Sequence, residues 1–510
     1  MAPFWIQPTA DSRRRTKYAG SWYEGNASKL KLEIEKYIAQ AKTSPEAESN
    51  KKLHTSSEPV TDDVLAIVSP HAGFMFSGQT AAYAYKTAQQ RKIKRIFLLG
   101  PSHHVGFRGA ALPAAVVFVT PLGDLEVDKD VISELKTYPL FSVQPDVHAV
   151  EHSLELQLPF IKYCFGDVKI VPVVIGQLAD ATEARLIGQV LKNFMHTDDL
   201  IIVSSDFTHY GPRYGYIPFG YTDETFELVS KMDGEAFNHL AKIDLDGFAE
   251  FLARTNDTIC GMFPCQVLLS MLPGNAHGSL LKYATSRDTA LEDSENSVSY
   301  LSIVFSGAKW SKPAGTSDAE LAELTDEEKQ LLLKLARETV EIFVKEKRKP
   351  GLDELNISLT PTLKECFGVF VTLNKKSAAE AEHKELRGCI GSIYPTQALY
   401  KGVQENAISA CSKDYRFPPV DASELKDIEI DINVLTPPKR VASYNDIVVG
   451  RDGVILTKGG AQSVFLPQVA TEWGWTLQEM LSQLSLKAGL LRDDWRDGAK
   501  FDVFQSVEFH

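Results

Sequence analysis

Apolar runs of strand length recur through the first part of the chain. The runs are VLAIVSP (64–70), RIFLLGP (95–101), VKIVPVVIG (168–176), LIIVSSD (200–206) and SVSYLSIVF (297–305). Continuous runs rich in β-branched residues are typical of strands that are covered on both faces. Amphipathic stretches of helical length lie between them, as at 77–90 and 181–194. Strands that alternate with helices predict an α/β fold with a mainly parallel sheet.

The pattern changes after a segment at 306–324 in which Gly, Pro and Ser collect. A new helix is predicted directly after it, because Thr325 and Glu328 have the spacing of a capping box and an amphipathic period follows. The rest of the chain mixes strands and helices without strict alternation, which favours an α+β fold. We therefore expect an α/β domain over 1–307, a linker over 308–321 and an α+β domain over 322–510.

Composition adds limits on partners and location. With 44% hydrophobic and 24% charged residues the chain is typical of a globular protein, and its net charge of -13 argues against nonspecific binding of nucleic acid. No apolar run reaches the ~18 residues that span a bilayer, and the first residues lack the apolar region of a secretory signal. The six cysteines have no C-x-x-C spacing, which favours reduced thiols. We expect a cytoplasmic protein with neither nucleic acid nor membrane as partner.

Histidines follow three of the predicted strands. His71 follows the first run, His103 and His104 follow the second, and Asp206 and His209 follow the fourth. In open α/β sheets, ligands bind beyond the carboxyl ends of the strands. If these strands are parallel neighbours, their histidines converge at one edge of the sheet.

A single histidine after a strand is more often a hydrogen-bonded structural residue than a ligand. Five of the twelve histidines lie in these tails or in EHSLELQLPF, where His152 stands, and this number favours a shared metal or acid/base site. Neutral imidazole binds mid-row metals and also titrates near neutrality. The residues alone leave the anionic ligand open, with these candidates: Glu151, Asp206, Cys260 and Cys265.

Cys260 precedes Gly261 in a predicted loop before an apolar, helix-like run. A thiolate near a helix N-terminus has a lowered pKa, which suits a metal ligand. The alternative is that both Cys260 and Cys265 are small buried hydrophobic residues, as free cysteines often are. For Cys265, which lies inside the apolar run, we favour that alternative.

Six ordered segments resemble the Memo family over about residues 15–307. These segments are AGSWYEG, SPHAGFMFSG, IFLLGPSHHV, EHSLELQLPF, VSSDFTHYG and TICGMFPC. The resemblance implies a fold like that of the class III, non-haem-iron extradiol dioxygenases. It also implies a metal site formed by His71, His103 and Cys260, with His209 as the acid/base histidine and Asp206 beside it. We add His104 as a further candidate catalytic residue.

The remainder, about residues 322–510, resembles the AMMECR1 family through LRGCIGSIYP (386–395) and DYRFPPV (414–420). This resemblance implies an α+β domain with a surface site near Arg387 and Cys389, which we take as candidate substrate-binding residues. A buried cysteine is the favoured alternative for Cys389. Members of both families often occur together with a radical-SAM protein, so we expect such a protein as a partner.

Two functions from different classes follow. The first is a metal-dependent oxidoreductase of the dioxygenase type, with iron or copper as cofactor and zinc as a third candidate, acting on an unknown small molecule. A thiolate ligand in place of a carboxylate favours softer metals, so ring-cleaving activity is not inherited from the fold. The second is a non-catalytic adaptor that binds a metal and a peptide. A zinc hydrolase is a weaker third choice because the chain lacks an H-E-x-x-H motif.

Overall fold

The computed structural model describes residues 13–60, 63–289, 293, 295–310, 324–360, 362–376, 384–394 and 397–510. The chain divides into two compact units, and the change from the first to the second falls near residue 312. Most of the predicted linker lies outside the described residues. Among the helices of the described part, none has the length and hydrophobicity needed to cross a bilayer.

The first unit is an α/β unit. Its strands are β1 (Arg13–Arg14), β2 (Asp63–Ser69), β3 (Arg95–Pro101), β4 (Ala110–Leu112), β5 (Val117–Phe118), β6 (Leu125–Glu126), β7 (Phe141–Val143), β8 (Lys169–Ile175), β9 (Asp199–Ser204), β10 (His209–Tyr210), β11 (His277–Thr285) and β12 (Ser297–Gly307). Its helices are α1 (Ala27–Gln40), α2 (Ala47–Lys52), α3 (Phe74–Ala88), α4 (Lys129–Leu135), α5 (Pro145–Val150), α6 (Leu158–Phe165), α7 (Ala181–Lys192), α8 (Thr225–Ala241), α9 (Leu245–Thr255) and α10 (Met262–Met271). The five apolar runs form β2, β3, β8, β9 and β12, so these strand predictions are confirmed.

The main sheet has the strand order β10-β12-β2-β9-β3-β8-β4-β7, and β11 pairs with β12. Strands β2, β9, β3 and β8 are parallel neighbours, and Ser69 at the end of β2 is paired with Ser204 at the end of β9. The three strand tails that carry histidines therefore leave the sheet at the same edge. This arrangement is the one that the sequence predicts.

The sheet is mixed rather than mainly parallel. Strand β12 is antiparallel to both β11 and β2, and β4 is antiparallel to β8. The described residues between β11 and β12 contain no crossover helix, and a direct connection of this kind joins antiparallel strands. Helices α1, α3 and α6 share a core with the sheet residues Ile67, Ile96 and Leu98, while α10 packs with α7 and contacts β3 and β9.

The second unit has an α+β fold built on two antiparallel sheets, β14-β13-β15-β20 and β16-β19-β17-β18. Its helices are α11 (Asp326–Glu346), α12 (Leu399–Ser412), α13 (Pro467–Glu472) and α14 (Leu477–Lys487). Its strands are β13 (Gly368–Lys376), β14 (Lys384–Ser392), β15 (Ile428–Leu435), β16 (Lys439–Arg440), β17 (Gly453–Lys458), β18 (Ala461–Phe465), β19 (Lys500–Phe504) and β20 (Ser506–Phe509). The predicted capping box is present, since the Thr325 hydroxyl accepts from the Glu328 N–H and the Glu328 carboxylate accepts from the Thr325 N–H.

Candidate metal centre

His71 lies in the loop between β2 and α3, and its imidazole is fully buried. Its Nδ1 is 2.9 Å from the Ser204 hydroxyl. That hydroxyl donates its one proton to the carbonyl of Ser153 at 2.6 Å, so it accepts from an Nδ1–H of His71. The Nε2 of His71 therefore carries the lone pair, and it faces the Sγ of Cys260 at 3.2 Å.

His103 follows β3 and is oriented by the buried carboxylate of Glu151. Its Nδ1 lies 2.8 Å from one carboxylate oxygen, and its backbone N–H donates to the other at 2.7 Å. Burial alone raises the pKa of Glu151, but the hydrogen bonds and the charge of His103 hold that pKa below its ordinary value. The anionic oxygen accepts an Nδ1–H, which leaves Nε2 as the acceptor nitrogen, the state that a metal ligand needs.

His152 is one of the five histidines expected near a shared site, but neither a ligand role nor a catalytic role was predicted for it. One ring nitrogen from each of His71, His103 and His152 lies within 4.8 Å of the other two. The His152 ring is 4.3 Å from the His103 ring and 5.3 Å from the His71 ring, between centroids. Burial, followed by the charges of the neighbouring histidines, lowers the pKa of His152 to about 2. Its position directly after Glu151 was the available sequence signal.

Cys260 lies between α9 and α10 and is held by the backbone of Asp206. The N–H of Asp206 donates to Sγ at 3.2 Å, and the thiol lies 3.4 Å from the carbonyl of the same residue. Burial, and then the Asp206 carboxylate, raises the pKa of the Cys260 thiol. The expectation of a lowered pKa is wrong for the polypeptide alone, because burial outweighs the nearby helix N-terminus. Cys265 is fully buried within α10, as expected.

His209 is fixed in one tautomer by a backbone carbonyl. Its Nδ1 donates to the oxygen of Phe207 at 2.8 Å, so Nε2 carries the lone pair. Thr258 fixes the backbone of His209 from both sides, because its hydroxyl oxygen accepts the His209 N–H at 2.8 Å and its proton is donated to the His209 carbonyl at 3.1 Å. Burial lowers the pKa of His209, partly offset by the charge of Asp206. The imidazole is thus suited to accept a proton at Nε2.

Asp206 and His104 occupy different settings. The buried Asp206 carboxylate accepts the backbone N–H groups of His71 at 2.8 Å and of Ala72 at 3.3 Å, so it orients the loop that carries His71. The exposed His104 has its Nε2 at 3.1 Å from the Tyr18 hydroxyl, which itself donates to the carbonyl of Val150. Asp206 therefore acts on the cluster through the backbone, and His104 lies at its rim.

Two buried carboxylates lie behind His209. The Thr208 hydroxyl is 2.7 Å from Asp233 and 3.2 Å from Asp257, and the Tyr283 hydroxyl donates to Asp233 at 3.0 Å. Burial raises the pKa of Asp233 to about 6, and burial together with Asp233 raises that of Asp257 to about 7. Thr208 has one hydroxyl proton for two carboxylates, so a proton on Asp257 completes the network.

An aromatic side chain adjoins the cluster, and a cavity lies beside it. The ring of Trp22 lies 4.6 Å from that of His152, and the Trp22 carbonyl accepts the N–H of Phe74. A cavity of about 440 Å³ is lined by Trp22, Phe74, the exposed Met75 and Glu33, and its lining includes none of the cluster histidines. Its mixed lining admits a ligand with both apolar and polar parts.

In the second unit, Arg387 and Cys389 are held by internal contacts. The Arg387 guanidinium binds both carboxylate oxygens of Glu424 at 3.0 and 2.9 Å and donates to the carbonyl of Pro418. Cys389 lies within β14, where the Thr372 hydroxyl donates to its Sγ at 3.2 Å and its own N–H donates to Asp414. Burial raises the pKa of Cys389.

The glycines of the same motif permit close packing. A Cβ at Gly388 would lie 2.2 Å from the carbonyl of Ala410, and one at Gly391 would lie 2.2 Å from the Phe370 ring. Both approaches are too close for any side chain, so the two glycines let β14 pack against α12 and Phe370. The described part of this motif, which ends before residue 395, therefore has a packing role alongside the proposed binding role.

Comparison with known families agrees with the division of the chain into two units. The model of the family described as Memo-like protein matches residues 14–304, and the AMMECR1 model matches residues 333–509. A Protein MEMO1 from Xenopus laevis is 33% identical over 303 residues, which cover 56% of this chain and 95% of that protein. The Protein memo-1 homolog from Caenorhabditis elegans is 31% identical over 304 residues, which cover 57% of this chain and 82% of that protein.

Two solved structures are also similar. The uncharacterized protein PH0010 from Pyrococcus horikoshii is 36% identical, covers 36% of this chain and 92% of its own, and has a TM-score of 0.33. The uncharacterized protein JW3007 from Escherichia coli K12 is 12% identical, covers 47% of this chain and 99% of its own, and has a TM-score of 0.31.

The first unit is thus an α/β unit with a mixed sheet whose parallel strands bring histidines and a cysteine together at one edge. The family match over residues 14–304 and the sequence identity to the Xenopus laevis and Caenorhabditis elegans proteins show to which family this unit belongs. The chain belongs to the Memo-like family, and a C-terminal AMMECR1 domain is fused to its Memo domain.

Proposed function

We propose that the Memo domain is a metal-dependent oxidoreductase that acts on a small substrate. In this proposal His71, His103 and Cys260 hold the metal and His209 moves a proton. The convergence of two imidazoles, a thiol and a third histidine with a fixed tautomer at one sheet edge supports it. Kinship with the fold of the class III extradiol dioxygenases agrees with redox chemistry, although fold alone does not assign an activity.

The donor set suits iron or copper, with zinc as a third candidate. Two neutral imidazoles and one thiolate are ligands that these ions accept. The bound ion would supply Lewis acidity and electron transfer to a chelating substrate. Because the Cys260 thiol has a raised pKa, metal binding has to displace its proton, and metal affinity is expected to increase with pH.

His209 would act as a general base. Its Nδ1–H is committed to the Phe207 carbonyl, so only Nε2 is left to accept a proton from a substrate hydroxyl. Its lowered pKa keeps the imidazole in the neutral form at physiological pH. Asp206, whose carboxylate also holds the His71 loop, stays a candidate catalytic residue beside His209.

Anaerobic purification of the full chain with elemental analysis tests the proposal. We expect close to one metal ion per chain in the wild type and loss of the metal in His71→Ala. His209→Ala is expected to retain the metal and to lose metal-dependent oxygen consumption in a screen of small hydroxylated substrates. His239→Ala is the matched control, because His239 bonds to Asp244 on the surface instead. A wild type without metal would contradict the proposal.

The cavity beside Trp22 favours a second candidate, a non-catalytic adaptor that binds a peptide. Its mixed lining and the exposed Met75 offer an apolar contact surface. Trp22→Ala would then abolish peptide binding, while His209→Ala would bind as the wild type does and neither would show turnover. Under either function, we propose that the AMMECR1 domain is accessory and that a radical-SAM protein is a partner.

A further inference from the structure

We propose that His152 is a ligand of the same metal ion, so that the ion is bound by three imidazole nitrogens together with Cys260. The inference rests on the metal centre proposed above. It assigns a ligand that lies outside the set of His71, His103 and Cys260. Its basis is that single ring nitrogens of His71, His103 and His152 all lie within 4.8 Å of one another, a spacing that one ion can bridge, while Cys260 lies outside that group and faces it through the Nε2 of His71 at 3.2 Å.

The position of His152 is fixed by the carboxylate that orients His103. Glu151 accepts the backbone N–H groups of His152 and Ser153, both at 2.9 Å, through the same oxygen that accepts from the His103 ring. The rings of Trp22 and Tyr18 pack against the His152 imidazole at 4.6 and 5.6 Å. One carboxylate therefore anchors both loops, and these two aromatic rings keep the His152 ring facing the other two imidazoles.

The His152 ring also has an unsatisfied nitrogen. Its Nδ1 is buried and has no hydrogen-bond partner within the described residues, although it approaches the Glu151 oxygen at 3.3 Å. That oxygen already accepts three hydrogen bonds. The same oxygen binds the Nδ1 side of His103, so the unpartnered Nδ1 of His152 faces Glu151, and Nε2 is the nitrogen of His152 that is left to bind the ion. By contrast, the ring Nδ1 atoms of His71 and His103 are both engaged.

Four protein donors have a consequence for the choice of metal. A tetrahedral zinc ion bound by three imidazoles and one thiolate would have no open position, as in structural zinc sites. An ion that prefers six ligands, such as iron(II), would keep two positions for substrate and oxygen. With His152 bound, the oxidoreductase proposed above therefore requires an ion that accepts more than four ligands.

X-ray absorption on the full chain loaded with iron(II) tests the inference without any substitution. Three imidazole scatterers and one sulfur are expected, and two imidazoles would overturn the inference. Titration of the metal-free chain with Co²⁺ provides an independent measurement. We expect His152→Asn to weaken Co²⁺ binding by at least about 10-fold, the size of effect found even for residues outside the coordination shell. His239→Asn is the control and is expected to bind as the wild type does.

Failure of this inference is distinguishable from failure of the proposed function. If the wild type binds Co²⁺ and His152→Asn binds it equally well, His152 is not a ligand and the metal centre of His71, His103 and Cys260 still stands. If neither the wild type nor any variant binds metal, both proposals fail. Because His152→Asn can also weaken binding through misfolding, the count of imidazoles in the wild type decides between a ligand and a structural residue.

Discussion

Cys260 in the Memo domain and Cys389 in the AMMECR1 domain are both cysteines beside a glycine, yet their thiols have different neighbours. Cys260 faces the acceptor nitrogen of a buried histidine at 3.2 Å. Cys389 lies in a strand and receives a hydrogen bond from the Thr372 hydroxyl. Burial raises the pKa of both thiols, so exposure to solvent does not separate them. The identity of the adjacent side chain indicates which thiol can become a metal ligand.

Two pairs of carboxylates, one in each unit, also differ in the groups that surround them. Asp233 and Asp257 are bonded to hydroxyl and backbone groups, and their pKa values are raised. In the second unit, Arg416 and Arg387 form hydrogen-bonded ion pairs that lower the pKa values of Asp414 and Glu424 to about 2. Near His209 the first unit thus has two carboxylates whose pKa values are raised by burial, whereas Asp414 and Glu424 in the second unit are held in charged pairs.

The largest expected effect separates the two thiols. Cys260→Ser should weaken metal binding by about 100-fold, or about 2.7 kcal/mol, because the soft sulfur ligand is lost. Cys389→Ser should leave metal affinity unchanged. Competition with a chromophoric chelator measures both dissociation constants on the full chain. Equal losses in the two variants would remove the distinction between the two cysteines.

The pH dependence of stability separates the two sets of carboxylates. Because Asp257 binds its proton more tightly in the folded state, with a pKa of about 7, stability decreases as pH rises through that value. From pH 5 to 7 its contribution should decrease by about 2 kcal/mol. Asp257→Asn should flatten this slope in thermal unfolding of the full chain.

Asp414→Asn is the control for that experiment. Its lowered pKa means that the carboxylate stabilises the fold above the unfolded value and loses this effect only as pH falls towards about 2. The slope between pH 5 and 7 should therefore match that of the wild type. An unchanged slope in Asp257→Asn would show that the buried pair does not share a proton in this range.

A smaller effect is expected at Glu151. Glu151→Gln removes the charge that orients His103 while it keeps the size of the side chain, so metal affinity should fall roughly 10-fold. The matched change in the second unit is Glu424→Gln, which should not alter metal affinity. The same chelator competition measures both variants, and a loss restricted to Glu424→Gln would reverse the assignment of the two carboxylates.

The smallest effect is expected at Arg387. Arg387→Lys removes the two-pronged contact with Glu424, which should lower the free energy of unfolding by about 1 kcal/mol. Metal content should stay at the wild-type value. Denaturant unfolding gives the change in stability, and a loss of turnover with unchanged stability would instead indicate that Arg387 binds substrate.

Much of the fold is predictable from the sequence because its central strands are continuous apolar runs. The convergence of the tails after β2, β3 and β9 followed from treating those strands as parallel neighbours. The antiparallel pairing of β12 was not predicted, since an apolar run does not encode strand direction. The position of His152 also depends on tertiary contacts, because the carboxylate of Glu151 links its segment to the distant loop after β3.

The raised pKa of Cys260 could not be read from the sequence either. The nearby Gly261 indicated a helix N-terminus, but burial by residues distant in the chain determines the protonation of the thiol. The roles of Asp206 and Arg387 show the same limitation. Each stays a candidate for the chemistry that its residue type suggests, and the contacts add that Asp206 holds the His71 loop and that Arg387 joins two segments.

Ser204 gives the His71 imidazole its direction. The proton of its hydroxyl is committed to the Ser153 carbonyl, so the tautomer of His71 is determined by a peptide group that never touches the ring. A threonine at position 204 would keep the hydroxyl and therefore both hydrogen bonds. An alanine would remove them, so that either ring nitrogen of His71 could carry the proton. The nitrogen that His71 offers to a metal is therefore determined by the Ser153 carbonyl, which lies two hydrogen bonds from the metal-facing side of the ring.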